Sequence, residues 1–136
     1  MSKSKRIWIS LGAILLLAAA LAWYRAPVTF LRGVDPSEVG RVEVIFGYPG
    51  ARFLEDRTAI SAIVESVQNT PVERDGISVQ YTGTGPTLIF YGQNGAVLEE
   101  LTFNSADTIR KDPFFYRARE GELCYDFILE QAELLR

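Results

Sequence analysis

The stretch Ile7–Tyr24, IWISLGAILLLAAALAWY, constrains this chain more than any other. It carries no charge, and Ser10 and Gly12 are its only departures from apolar or aromatic character. At about 1.5 Å rise per residue, a helix of these 18 residues is roughly 27 Å long, close to a bilayer hydrocarbon core of about 30 Å. Lys3, Lys5 and Arg6 precede it and Arg25 follows at once. The positive-inside rule then places residues 1–6 in the cytoplasm and carries the remainder across. Trp8 and Trp23–Tyr24 fall near the two ends, where amphipathic rings settle at headgroup depth. The expectation is a single-pass anchor with the membrane as its partner along Ile7–Tyr24, and an extracytoplasmic domain behind it. A cleaved signal peptide is the alternative. Ala20-Leu21-Ala22 has the small-x-small form that a signal peptidase reads, although a cleaved core is typically about 7–15 residues. A buried core helix fits less well, because no polar face interrupts the run. No Cys lies in or just after the segment, which excludes a lipid-modified N-terminal Cys.

Behind the anchor (residues 1–25) and a linker (26–34), residues 35–136 are enough for one domain with one core. All 17 acidic residues lie at or after Asp35, against 10 basic residues from Arg32 onward. So acidic a domain is repelled by nucleic acid and anionic headgroups, so nucleic-acid binding is not expected and the domain should stand off the membrane. The single cysteine, Cys124, leaves no internal disulfide to support an exported domain. The chain has no histidine, which removes the commonest general base and metal ligand and every Ser-His or Cys-His pair.

Pro27 should stop the anchor helix, since it has no amide to donate. Asp35-Pro36-Ser37-Glu38 reads as a short helix start, with Asp as N-cap and Pro at the first position. Arg41–Phe46 alternates as a half-buried strand, with Val42, Val44 and Phe46 on one face and Arg41, Glu43 and Ile45 on the other. After the turn Gly47–Gly50, Ala51–Leu54 is a possible return strand. A helix capped by Asp56 or Thr58 should run to about Gln68, with Ile60, Ile63, Val64 and Val67 on one stripe. A strand is expected where Ile77, Val79 and Tyr81 alternate with Ser78, Gln80 and Thr82. Thr87–Tyr91 is continuously β-prone, as for a central strand covered on both faces. Gln93-Asn94-Gly95 is a hairpin turn, because Asn-Gly accepts positive φ at low cost, and Ala96–Phe103 pairs back. Asp107–Lys111 and Phe114–Arg119 form another strand pair around Asp112-Pro113, and Glu122–Leu135 a final helix. The fold class is α+β: an N-terminal transmembrane helix, then a mostly antiparallel sheet with two amphipathic helices on one face.

One pattern then stands out. Asp35-Pro36-Ser37-Glu38-Val39 leads into a strand. The helix of Thr58, Ile60, Ile63 and Val64 follows, then the strand Leu88–Tyr91, the pair Phe115-Tyr116 and a Leu-rich closing helix. This resembles the small uncharacterised extracytoplasmic domains of membrane-anchored proteins and lipoproteins of Gram-positive bacteria, over roughly Asp35–Leu135. The resemblance implies a fold and a location, and no functional residues.

Motifs with chemical potential reduce mostly to structure. Gly83-Thr84-Gly85 is followed by a strand, whereas a phosphate cradle needs a helix N-terminus there. Glu99 and Glu100 are adjacent on a strand and point to opposite faces, so they do not chelate one ion together. No metal site and no cofactor are expected. Cys124, with no His to activate it and Leu123 and Tyr125 beside it, reads as a packed thiol. The remaining set is Tyr91, Phe115, Arg117 and Arg119, which combine aromatic and guanidinium groups as protein-binding hot spots do. Its plainer reading is that a loop covers the face, or that the arginines pair with Asp107 and Asp112. The functional expectation is a non-enzymatic module that engages another envelope protein. The alternatives are a secreted domain, or a wall enzyme working with two carboxylates across a groove, about 5–9.5 Å apart.

Overall fold

A computed structural model describes residues 2–81 and 83–136. Among them, helix α1 spans Lys3–Arg25. A short 3-10 turn, Pro36–Glu38, is capped by Asp35, whose carboxylate accepts from the Ser37 amide at 2.9 Å. Strands β1 (Val39–Ile45) and β2 (Arg52–Leu54) follow, then helix α2 (Arg57–Gln68), with Asp56 as its N-cap. Strands β3 (Val72–Ile77), β4 (Thr87–Gly92), β5 (Val97–Phe103), β6 (Thr108–Lys111) and β7 (Phe114–Ala118) lead to helix α3 (Tyr125–Leu134). The fold is α+β. An apolar N-terminal helix precedes a seven-stranded sheet of order β2-β1-β4-β5-β6-β7-β3, antiparallel at every pairing.

The core lies on one face of this sheet. Val42, Val44, Leu88, Phe90, Leu101, Phe103, Ile109 and Tyr116 are buried together with the α2 stripe Ile60, Ile63, Val64 and Val67, and with Ile128 and Ala132 of α3. The Cys124 amide at the head of α3 donates to Ser66 Oγ of α2 at 2.9 Å, which ties the two helices. Arg52 Nε donates to the Leu135 carbonyl at 3.1 Å, so the end of α3 sits by the β2 edge. Gly85 passes so close to β5 that a Cβ there would lie 2.1 Å from the Phe103 carbonyl oxygen. Close backbone approach, not anion binding, accounts for that glycine.

Three expectations change. The strand expected around Ile77–Tyr81 lies earlier, at Val72–Ile77, and Ser78–Tyr81 is a turn closed by the Tyr81 amide on the Ser78 carbonyl. Thr82 lies outside the described residues. The reason is pairing: Glu73 and Arg74 match Arg117 and Tyr116 of β7, and this ladder overrides the apolar alternation further on. Strand β4 is not equally covered on its two faces. Leu88 and Phe90 are buried, while Thr87, Ile89 and Tyr91 are only half-buried. Finally, residues 26–34 are packed and do not form a free linker. Val28 and Val72 exchange backbone hydrogen bonds of 2.7 and 2.9 Å, Phe30 and Leu31 are buried, and the Phe30 ring meets Tyr116 edge-on at 5.0 Å. Gln68 Nε2 donates to the Leu31 carbonyl at 2.8 Å and also to that of Val34. Two adjacent large apolar residues in a short connection gain by leaving water, so the connection folds down onto the sheet.

Candidate functional site

Opposite the core, the sheet keeps a face in contact with solvent. The register puts Phe53, Glu43, Ile89 and Glu100 in one row across it, and Arg41 and Tyr91 side by side. Arg41, Ile45, Phe53 and Glu100 are exposed, and Glu43, Ile89 and Tyr91 half-buried. The side chains organise one another. The Arg41 guanidinium lies 4.3 Å from the Phe53 ring centroid and 5.1 Å from that of Tyr91. The Tyr91 hydroxyl donates to Glu43 Oε1 at 2.8 Å. That hydrogen bond to a carboxylate raises the Tyr91 phenol above its ordinary value, with desolvation adding to it. The result is a flat cluster of two aromatic rings, one guanidinium between them and one carboxylate.

A second cluster occupies the same face over β6 and β7. Phe115 stands beside Arg110, and the Tyr81 ring meets it edge-on at 5.1 Å. Arg117 reaches Asp107 at 3.4 Å and Asp75 at 3.8 Å, and Arg110 pairs with Asp112 at 3.0 Å. Asp112 also accepts from Ser78 Oγ at 2.6 Å, and Asp107 from Ser105 and Thr108 hydroxyls at 2.7 and 2.8 Å. These hydroxyl donors, with the arginines, hold both carboxyls below the usual range. Between the clusters, Glu100, Thr102, Arg110, Lys111 and Asp112 line a shallow depression of about 400 Å³.

The four residues picked from the sequence therefore divide. Tyr91 belongs to the first cluster, while Phe115 and Arg117 belong to the second, and β5 and β6 lie between them. At about 4.8 Å per strand the separation is roughly 14 Å. Arg119 lies past the end of β7 and pairs with Glu73 at 2.9 Å. Arg117 does pair with Asp107, whereas Asp112 is taken by Arg110. The residues missed by sequence reasoning are Arg41, Glu43 and Phe53. The alternation of β1 already sets Arg41 and Glu43 on one face, but nothing local brings Tyr91 next to them. Cys124 is half-buried at the N-cap position of α3, and burial pushes its thiol up. Comparison of the chain with protein-family models, curated proteins and solved structures returns no match.

Proposed function

We propose that this protein is a single-pass, membrane-anchored, extracytoplasmic module that binds another envelope protein through the solvent-facing side of its sheet, without chemistry of its own. The observation that carries the reading is the Phe53–Arg41–Tyr91–Glu43 cluster. Rings and guanidinium groups held flat by mutual contacts present a preformed surface, and such groups dominate binding hot spots. Arg41, Glu43 and Tyr91 are engaged with one another, which suits recognition of shape and charge. Helix α1, long and apolar enough to cross a membrane, supports the anchoring. A second reading, a secreted domain, has its own support. Trp23, whose ring meets Arg74 and Phe114, directly follows Ala20-Leu21-Ala22, so cleavage there would leave this docked residue in place.

The test is in-cell crosslinking from a photoreactive residue at Phe53, and separately at Phe115, with mass spectrometry of the captured product. The intact mass of the mature chain is read from the same preparation. One recurrent envelope protein, lost in the Arg41→Ala variant but not in a Leu134→Ala variant, is the expected outcome. Capture of bystanders only, unchanged by either substitution, overturns the binding reading. A mass lacking residues 1–22 replaces the anchored form with the secreted one.

A further inference from the structure

The end of α1 is fastened to the domain. Arg74 Nη1 donates to the Trp23 carbonyl at 2.9 Å, and its guanidinium lies 3.8 Å from the Trp23 ring centroid. The Gly76 amide donates to the Tyr24 hydroxyl at 2.8 Å. The Trp23 and Tyr24 rings both meet Phe114 edge-on, at 6.0 and 5.7 Å. Further along, Val28 is bridged antiparallel to Val72. The chain leaving α1 and strand β3 thus run side by side in opposite directions at Val28 and Val72, and the Tyr24 side chain reaches the Gly76 amide. β3 therefore heads back toward the end of α1, and the turn after it starts at Ile77, whose partner Phe114 touches both Trp23 and Tyr24.

That turn is apolar and exposed. Ile77, Val79 and Tyr81 are 65%, 53% and 58% exposed. Ser78 between them is fully buried, its amide donating to the Pro113 carbonyl at 2.8 Å and its hydroxyl to Asp112 at 2.6 Å. The buried serine holds the turn down while Ile77 and Val79 on either side remain outward. Asp112 pairs with Arg110, and Asp75 shares Arg117 with Asp107, which lowers the repulsion an acidic domain meets at headgroups. Residues 26–34 are packed against the domain, which holds it close to the end of α1.

We infer that the Ile77–Tyr81 turn is a second membrane contact, with Ile77 and Val79 inserted into the interfacial layer of the leaflet from which α1 emerges and Tyr81 at headgroup depth. This rests on the reading of α1 as a retained, membrane-spanning anchor. The occupant is lipid because the patch continues through Phe114 from the Trp23–Tyr24 belt of α1, and exposed aliphatic groups leave water there without needing a fitted partner. The consequence is a domain with a fixed tilt, held at two points.

The experiment uses the full chain in phosphatidylcholine vesicles, in a Cys124→Ala background, with a small fluorophore at Val79→Cys, or at Ile77→Cys should the first fold poorly. Labels at Leu15→Cys and Leu134→Cys serve as controls; Leu134 is 73% exposed at the end of α3, by the opposite sheet edge. Expected are loss of Val79 fluorescence to nitroxide-headgroup lipid with protection from aqueous iodide, and the reverse at Leu134. Iodide quenching at Val79 without lipid quenching overturns the inference. So does protection from both, which would mean that protein covers the turn. The Leu15 label separates the two readings: quenching by an acyl-chain nitroxide shows that the anchor stands whatever Val79 does, and its absence removes the anchor itself.

Discussion

The two faces of the sheet are built from the same strands, often from adjacent residues, yet they are held together by different physics. On the core side, Val42, Val44, Leu88, Phe90, Leu101 and Phe103 are buried to within about one per cent of complete exclusion from water. Their contribution is hydrophobic and non-directional. On the outer side, Arg41, Glu43, Phe53, Tyr91, Arg110, Asp112, Arg117 and Asp107 meet through rings, guanidinium groups and carboxylates at the surface. Ion pairs so exposed contribute about 0–1 kcal/mol each. The difference separates two jobs. One face specifies and stabilises the fold, and the other is free to hold an arrangement chosen for something besides stability.

Neighbouring positions on β4 give the sharpest way to break this contrast. Phe90 points into the core and Tyr91 outward. Phe90→Ala should cost about 3–5 kcal/mol, much of the stability of a domain this size. Tyr91→Ala removes one hydrogen bond and one ring contact near solvent and should cost far less. Thermal unfolding of the two full-length variants in mild detergent, followed by near-ultraviolet circular dichroism, measures both. Similar losses would mean that the outer face also carries the fold, and the division would collapse.

The same distinction explains what was legible in the chain. Elements set by nearby residues could be read: the Asp35 and Asp56 caps, the α2 stripe, the Asn94-Gly95 hairpin and the β6–β7 pair around Asp112-Pro113. Partnerships between distant segments could not. β1 pairs with β4 across 42 to 53 residues, and β3 reaches β7 rather than its sequence neighbours. Tyr91 meets Arg41 and Glu43 only through the long-range β1–β4 pairing, which no local pattern shows, while Phe53 joins them through the β1–β2 ladder. The turn at Ile77–Tyr81 misled for a related reason. Its alternation of apolar and polar residues has the period of a strand, but only Ser78 is buried, and the ladder to β7 ends at Ile77. Alternation reports which residues point apart, not whether another strand waits beside them.

A smaller effect sharpens the contrast by pH. Asp107 accepts from Ser105, Thr108 and Arg117, and its carboxyl is lowered in the folded state, chiefly by the Ser105 and Thr108 hydroxyls. A lowered folded value contributes stability above the unfolded value, about 3.9, and loses it as pH falls through the folded one. Asp107→Asn should therefore be less stable than the parent chain at neutral pH, by under about 1 kcal/mol given the exposure of the pair. The gap should close as pH drops below about 4. A gap that persists unchanged to pH 2 would show that the charge is not what Asp107 contributes.

The smallest effect is at the alkaline end, and it tests the first cluster directly. The Tyr91 phenol is raised mainly because its proton is shared with Glu43, so the contribution has the opposite sign to that of Asp107. It is present below the ordinary tyrosine value of about 10 and is lost as pH rises through the higher folded value. In Glu43→Ala the acceptor and the nearby negative charge are both gone, while Arg41, which favours the phenolate, stays 5.1 Å from the ring. One phenol should then ionise earlier in an absorbance titration of the variant than in the parent chain, with almost no change in thermal midpoint. Superimposable titrations would mean that the Tyr91–Glu43 hydrogen bond does not persist in solution. The cluster would then be a loose collection of surface side chains and not a preformed binding surface.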